Sequence, residues 1–313
     1  MKKFGKTLLL FIPFAAVLYA ILLIIFAAII PGSYIKNVFT LSGHVTKRLD
    51  DVRETKNVDI LFLGSSHAYR SFDIRMYNQA GLKGFVLGSP AQTPIQTEYL
   101  LEQYLDSLKP KLVVYEVYPV TFSIDGTEAS LYLIASEKVN KGIFDMALEQ
   151  NSIVIYNTML LSFLEQKFNL NIKTIENPKN ERYIKGGFVE ADLRYFDKTP
   201  RHKEDLKFME SQFKLFEKNL ALLKKRNIKY ILVQAPYPKS TYNAFTNLDS
   251  FDKRMSKYGP YYNFNESMDL DDSIDFLDDS HLNQNGVAAF NKQLLDTLKT
   301  IHYNGIRKLM TSN

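Results

Sequence analysis

Two places in the chain gather residues able to move protons. One is Gly64-Ser65-Ser66-His67, directly after the apolar run 58–63; the other is Asp278-Asp279-Ser280-His281 near the C-terminus. A serine hydroxyl is a useful nucleophile only when a base takes its proton and a third group holds that base. His67 follows Ser66 directly and neighbouring side chains diverge, so the base must come from elsewhere. Of the five histidines, His44 falls in a polar connector, His202 at a charged helix start and His302 in the tail, where a solvated imidazole is the ordinary outcome. His281 differs, because Asp278 stands three residues before it. At that separation a carboxylate can reach round a helical turn and hydrogen-bond the imidazole. The bond would fix the tautomer and leave the other ring nitrogen free for a serine proton. The alternative is a helix start with Asp278 and Asp279 in solvent.

The elements that must position these groups follow an alternating pattern. Residues 58–64, 84–89, 111–119 and 228–238 are short apolar runs that predict buried strands, and 260–265 is a fifth candidate. Residues 93–110 place Ile95, Tyr99, Leu100, Leu101, Leu105 and Leu108 on one side of a helix. Amphipathic segments at 202–227 and about 283–301 predict two more. Strands alternating with helices predict a parallel sheet covered on both faces, with ligands at the carboxyl ends of its strands. The fold class expected is α/β: a three-layer, flavodoxin-like sandwich of about five parallel strands.

About 110 residues separate the third and fourth strands, far more than the few usual in α/β connections. A helical cap inserted over about 120–227 is expected there. Its segment 152–170 is apolar on nearly every face, which suits either the cap's own core or a surface pressed on a membrane. Two glycines within 183–196 suggest a loop or hairpin.

Residues 8–30 carry no charge, and about 23 residues suffice for one helix to cross the hydrocarbon core. The run ends in Ile-Ile-Pro-Gly-Ser-Tyr rather than a small-residue cleavage site, so an uncleaved anchor is expected instead of a signal peptide. Lys2, Lys3 and Lys6 precede it, which keeps the N-terminus in the cytoplasm and the rest outside. The expected localisation is therefore a bacterial cytoplasmic membrane, single-pass. The division expected is 1–31 cytoplasmic N-terminus and anchor, 32–57 connector, 58–303 globular domain and 304–313 tail.

The 313 residues include no cysteine, which excludes disulfides, thiolate zinc sites and cysteine nucleophiles. The net charge of +5 owes part of its value to the lysines before the apolar run. A mildly basic remainder could favour anionic wall polymers or head groups, though a solvated mixed surface explains it as well. No basic stripe with interleaved aromatics points to nucleic acid. Asp269, Asp271 and Asp275 lack the glycine a calcium loop needs, so neither metal nor cofactor is expected.

Taken in order, these residues resemble the SGNH/GDSL superfamily of esterases and acyltransferases. Gly64-Ser65-Ser66 matches the nucleophile block after the first strand, and 278–286 matches the Asp-x-x-His block before the last helix, with Leu282 after the histidine and Gly286 five beyond it. The resemblance makes Ser66 the nucleophile, His281 the base and Asp278 its support. The second block reads Ser-Pro-Ala-Gln-Thr at 89–93, placing Ala91 where the family has glycine; its N–H can still donate to an oxyanion. The third departs: Val120 stands where the family's oxyanion asparagine would be. Gln92 and Thr121 are candidate replacements. With the anchor, the chain looks like the branch containing the teichoic-acid D-alanylation and the alginate and cell-wall O-acetylation proteins. That likeness implies acyl transfer or hydrolysis on cell-envelope polysaccharide, with an acylated carbohydrate or wall polymer and a membrane-bound O-acyltransferase as partners.

Two rivals remain. Gly64-Ser65-Ser66-His67-Ala68 nearly matches the Gly-x-Ser-x-Gly elbow of α/β-hydrolases, but only one strand precedes Ser66. The other is a non-catalytic tethered module that keeps the fold and binds a glycan or an acyltransferase, which Val120 and the large insertion both permit.

Overall fold

The computed structural model describes residues 2–29, 43–170, 178–197 and 201–300. His302, the expected tail and the first part of the expected connector lie outside the described residues.

Five strands, β1 (Ile60–Gly64), β2 (Gly84–Gly88), β3 (Leu112–Glu116), β6 (Lys229–Gln234) and β7 (Tyr261–Asn263), form one sheet in the order β2-β1-β3-β6-β7. Every pairing is parallel, and the register sets Gly64 opposite Gly88. A separate antiparallel hairpin joins β4 (Glu181–Ile184) to β5 (Phe188–Ala191).

Alternation along the strands divides the core in two. Leu61, Leu63, Leu87, Val113 and Leu232 face one layer, and Ile60, Phe62, Val86, Val114 and Ile231 face the other. Both faces are apolar because both are covered by helices, which is why the strands read as continuous hydrophobic runs. The helices are α1 (Lys2–Ile29), α2 (Gly43–Glu54), α3 (Ser66–Ser71), α4 (Ile74–Gln79), α5 (Pro94–Leu108), α6 (Thr127–Ser136), α7 (Lys141–Gln150), α8 (Ile153–Phe168), α9 (Glu210–Lys225), α10 (Leu248–Tyr258) and α11 (Gln284–Thr300). Three single turns, Pro119–Phe122, Lys239–Tyr242 and Phe264–Ser267, lie between them.

Three expectations change. The connector is in part a helix: α2 buries Val45, Leu49 and Val52 together with a fully buried Arg48. Arg48 Nε donates to Gly187 O at 3.0 Å and its Nη1 to Gly88 O at 2.8 Å, so the segment is fastened to the hairpin turn and to the end of β2. The insertion is mixed rather than wholly helical, since it adds the β4–β5 hairpin to α6, α7 and α8. The helix expected from residue 202 starts at Glu210. Tertiary bonds hold the preceding stretch extended, with Glu204 N–H on Ala244 O and Thr246 N–H on Glu204 O.

Candidate active site

β1 ends at Gly64, whose φ of +141° is one that side-chain-bearing residues rarely adopt. A Cβ there would lie 2.9 Å from Glu116 Cβ, and one on Gly88 would lie 2.5 Å from Gly64 O. Two glycines on adjacent strands thus let the chain turn sharply into α3. Ser65 caps that helix, its hydroxyl accepting from His67 N–H at 3.3 Å. Ser66 becomes the first helical residue, where N–H groups have no intrahelical partner.

The loop 276–282 brings the base. Phe276 and Leu282 bridge antiparallel, and Leu277 N–H donates to His281 O at 2.8 Å. Asp278 lies in this tight loop rather than on a helical turn, and its Oδ1 accepts from Ser280 N–H at 2.9 Å and His281 N–H at 2.8 Å. The same carboxylate meets His281 Nδ1 at 3.0 Å, and His281 Nε2 stands 2.8 Å from Ser66 Oγ. Burial alone would raise the Asp278 carboxyl's pKa, but its bonds to the His281 ring and to the Ser280 and His281 N–H groups outweigh that and hold it well below the usual range. An ionised carboxylate, an oriented imidazole and a hydroxyl in one line can deprotonate the hydroxyl as it attacks.

His67 stands beside this line, its ring centroid 5.0 Å from that of His281. It is buried, its ring stacks on Tyr118 with centroids 3.6 Å apart, and burial followed by the neighbouring His281 pushes its pKa well down.

The three serine, histidine and strand-end segments open on a cleft of about 570 Å³ lined by Ser66, Ala91, Tyr118, Val120, Thr121 and His281 among others. Ala91 adopts a left-handed conformation, φ +48°, at the position where the glycine was expected. Gln92 is not brought to the cleft. Its amide is buried, accepting from Ser89 Oγ at 3.0 Å and donating to Thr97 Oγ1 at 2.9 Å. Thr121 lines the cleft, but its hydroxyl and its N–H both donate to Tyr118 O, at 2.6 and 3.0 Å. Neither the Gln92 amide nor the Thr121 hydroxyl is therefore free to donate into the cleft.

Sequence reasoning passed over three residues here. Arg70 lines the cleft one turn beyond Ser66 on α3, a signal the four-residue spacing carried; its Nη2 donates to Glu181 at 2.5 Å. Arg201 also lines the cleft and pairs with Asp279. Glu116 sits beneath Gly64 and is fully buried. The N–H groups of Tyr118, Ala235 and Ser65 surround its carboxyl, but none meets it with good hydrogen-bond geometry. Desolvation pushes its pKa up to about 8. Nothing in strand periodicity marked Glu116, which simply closes an apolar run.

No protein-family model matches the chain, and no curated protein does. In shape it is similar to two solved structures, a GDSL-like lipase from Bacteroides thetaiotaomicron VPI-5482 and a protein classed as an acylhydrolase from Bacteroides fragilis NCTC 9343. Each aligns with 12% identity and a TM-score of 0.40; the first covers 82% of this chain and 98% of the other, the second 84% and 95%. At that distance neither bears on residues or activity. The class rests on the molecule's own features, an α/β domain with a parallel five-stranded sheet and a Ser-His-Asp line at its strand ends.

Proposed function

We propose that this chain is a membrane-anchored, extracytoplasmic serine esterase or O-acyltransferase acting on acyl groups of cell-envelope polysaccharide or a related carbohydrate. The observation that carries the reading is the 2.8 Å approach of His281 Nε2 to Ser66 Oγ with Asp278 on the other ring nitrogen. His281 takes the Ser66 proton as the hydroxyl oxygen attacks an acyl carbonyl. The N–H groups of Ser66 and Ala91 receive the oxyanion, and His281 returns the proton to the departing oxygen. A sugar hydroxyl or water then loses its proton to His281 as it takes the acyl group, and His281 passes that proton to Ser66 Oγ as the acyl–serine bond breaks.

The cleft suits a polyhydroxylated acceptor, since Arg70, Arg201, Glu128 and Glu204 line it together with the ring of Tyr118. Support for an anchor comes from α1, whose stretch Thr7–Ala27 is long and apolar enough to cross a membrane. Leu23 and Ala27 at its far end are buried in the domain's core, which favours a segment that stays attached. Positive charge ahead of the span favours a cytoplasmic N-terminus.

The non-catalytic reading draws on Thr121 and Gln92, whose side chains are engaged elsewhere and leave the oxyanion only backbone donors. Labelling with a serine-directed fluorophosphonate separates the two. An adduct at Ser66 that is absent in Ser66→Ala is expected; a folded protein that takes no label at Ser66 is a binding module.

A further inference from the structure

Helix α8 is half a core helix. It buries Ile155, Thr158, Leu161 and Ser162, yet Ile153, Val154, Phe163 and Phe168 are 66, 37, 50 and 64% exposed on its other sides. From Ile153 to Leu164 it has no charged residue. An apolar surface of this kind on a monomer marks a contact with something other than water.

Helix α1 fixes where that surface lies. Tyr19 Oη donates to Asn157 Oδ1 at 2.5 Å, so α1 packs along α8 rather than merely leading up to the domain. Tyr19 lies eight residues before Ala27, the end of the apolar stretch. At 1.5 Å per residue that is about 12 Å along the helix, against a hydrocarbon half-thickness of about 15 Å. If α1 crosses the bilayer, Asn157 is drawn far below the head groups, where a polar side chain bonded to a neighbouring helix is the usual solution.

Resting on the reading of α1 as a membrane anchor, we infer that α8 is embedded beside it in the outer leaflet, its outward apolar face packed on lipid acyl chains. The occupant is lipid because Asn157 on this helix meets Tyr19 inside the apolar stretch of α1, whose own exposed side chains face lipid once it spans the membrane. Phe144 and Leu148 of α7, 48 and 51% exposed among Lys141, Asp145 and Glu149, fit the head-group level just above. The domain therefore sits partly sunk in the membrane instead of swinging above it on a connector.

The chain has no tryptophan, so Phe163→Trp makes a single-tryptophan protein. Full-length protein is reconstituted in phosphatidylcholine vesicles, with and without bromine at mid-chain of the lipid. Phe14→Trp in α1 and Tyr195→Trp on the domain serve as references, and circular dichroism checks each fold. Phe163→Trp and Ile153→Trp are expected to emit at short wavelength, lose most of their emission to brominated lipid and resist aqueous iodide, while Tyr195→Trp does the reverse. Quenching of Phe14→Trp but not of either α8 variant overturns the inference. So does blue-shifted, bromine-insensitive emission from α8, which would mean that a protein covers the face. If Phe14→Trp is also insensitive to bromine, the anchor reading itself falls.

Discussion

At the scale of single residues, the proposed chemistry depends on three side chains acting as a unit. Ser66→Ala, His281→Ala and the double variant should each lower kcat on an acyl ester by a similar factor, on the order of 10⁴ or more. Steady-state kinetics showing His281 dispensable would point to binding instead. Glu116 makes a different prediction. Its carboxyl is neutral in the folded chain up to about pH 8 but ionises at about 4.5 when unfolded. Between those values the folded state holds the extra proton, so stability falls as pH rises, by roughly 1.4 kcal/mol per unit from this group. Above the folded value the loss is complete. Urea unfolding of the full chain in detergent should show a shallower decline between pH 5 and 8 for Glu116→Gln; equal slopes would mean that Glu116 is already ionised in the fold. The proposed Ser66, His281 and Asp278 set was put together from residue types and order. Glu116 was not legible in that way, because a buried acid at a strand end has no periodic signature.

Elements decide how the site is held. The turn of the β4–β5 hairpin reaches the edge of β2, where Val86 N–H donates to Gly186 O at 2.8 Å and covers an otherwise open strand edge. Asp51 on α2 accepts from Gly186 N–H and, at 2.8 Å, from Tyr183 Oη. Arg70 of α3 and His44 of α2 both meet Glu181 on the hairpin. Burial would raise the Glu181 carboxyl's pKa, but the bond to His44 and the charge and bond of Arg70 bring it down to about 2. Helix α2 and the hairpin therefore brace the short helix that begins with Ser66. Gly187 has φ +102°, and a Cβ there would lie 2.0 Å from Val86 O. Gly187→Ala should cost about 3 kcal/mol or more, from strain and a displaced backbone. Thermal unfolding checks this, and an unchanged midpoint would show that the hairpin turn is free to move. The strands and α5 were readable from apolar spacing; α2 was missed because its polar composition hides a helix whose buried arginine finds carbonyl partners only in the fold.

At the scale of the whole molecule, one apolar helix joins a two-layered core and shares a face with the insertion. If the N-terminus is cytoplasmic, the domain is accessible only from outside. Because the chain has no cysteine, Tyr195→Cys gives a single reporter at an exposed position. A membrane-impermeant maleimide should label it in intact cells, after removal of any outer membrane, as fully as in lysed ones. Labelling that needs lysis would reverse the orientation. Residues 152–170 show how far sequence goes at this scale: their apolar character was plain, but burial of Ile155 and Leu161 beside exposure of Phe163 was not.

The alternation of strands and helices along the chain, the parallel sheet and the presence of a serine after β1 and an Asp-x-x-His before α11 can be read from the sequence itself. They follow from local spacing, turn glycines and residue chemistry, which act over a few residues. Tertiary structure alone decided that Asp278 sits in a loop, that Gln92 turns into the core and that Thr121 is bound to Tyr118. It also decided that Glu116 lies against Gly64 and that α1 leans on α8. Each of these depends on which distant backbone carbonyl, amide or cavity a side chain meets, and such meetings are set by the packing of the whole chain.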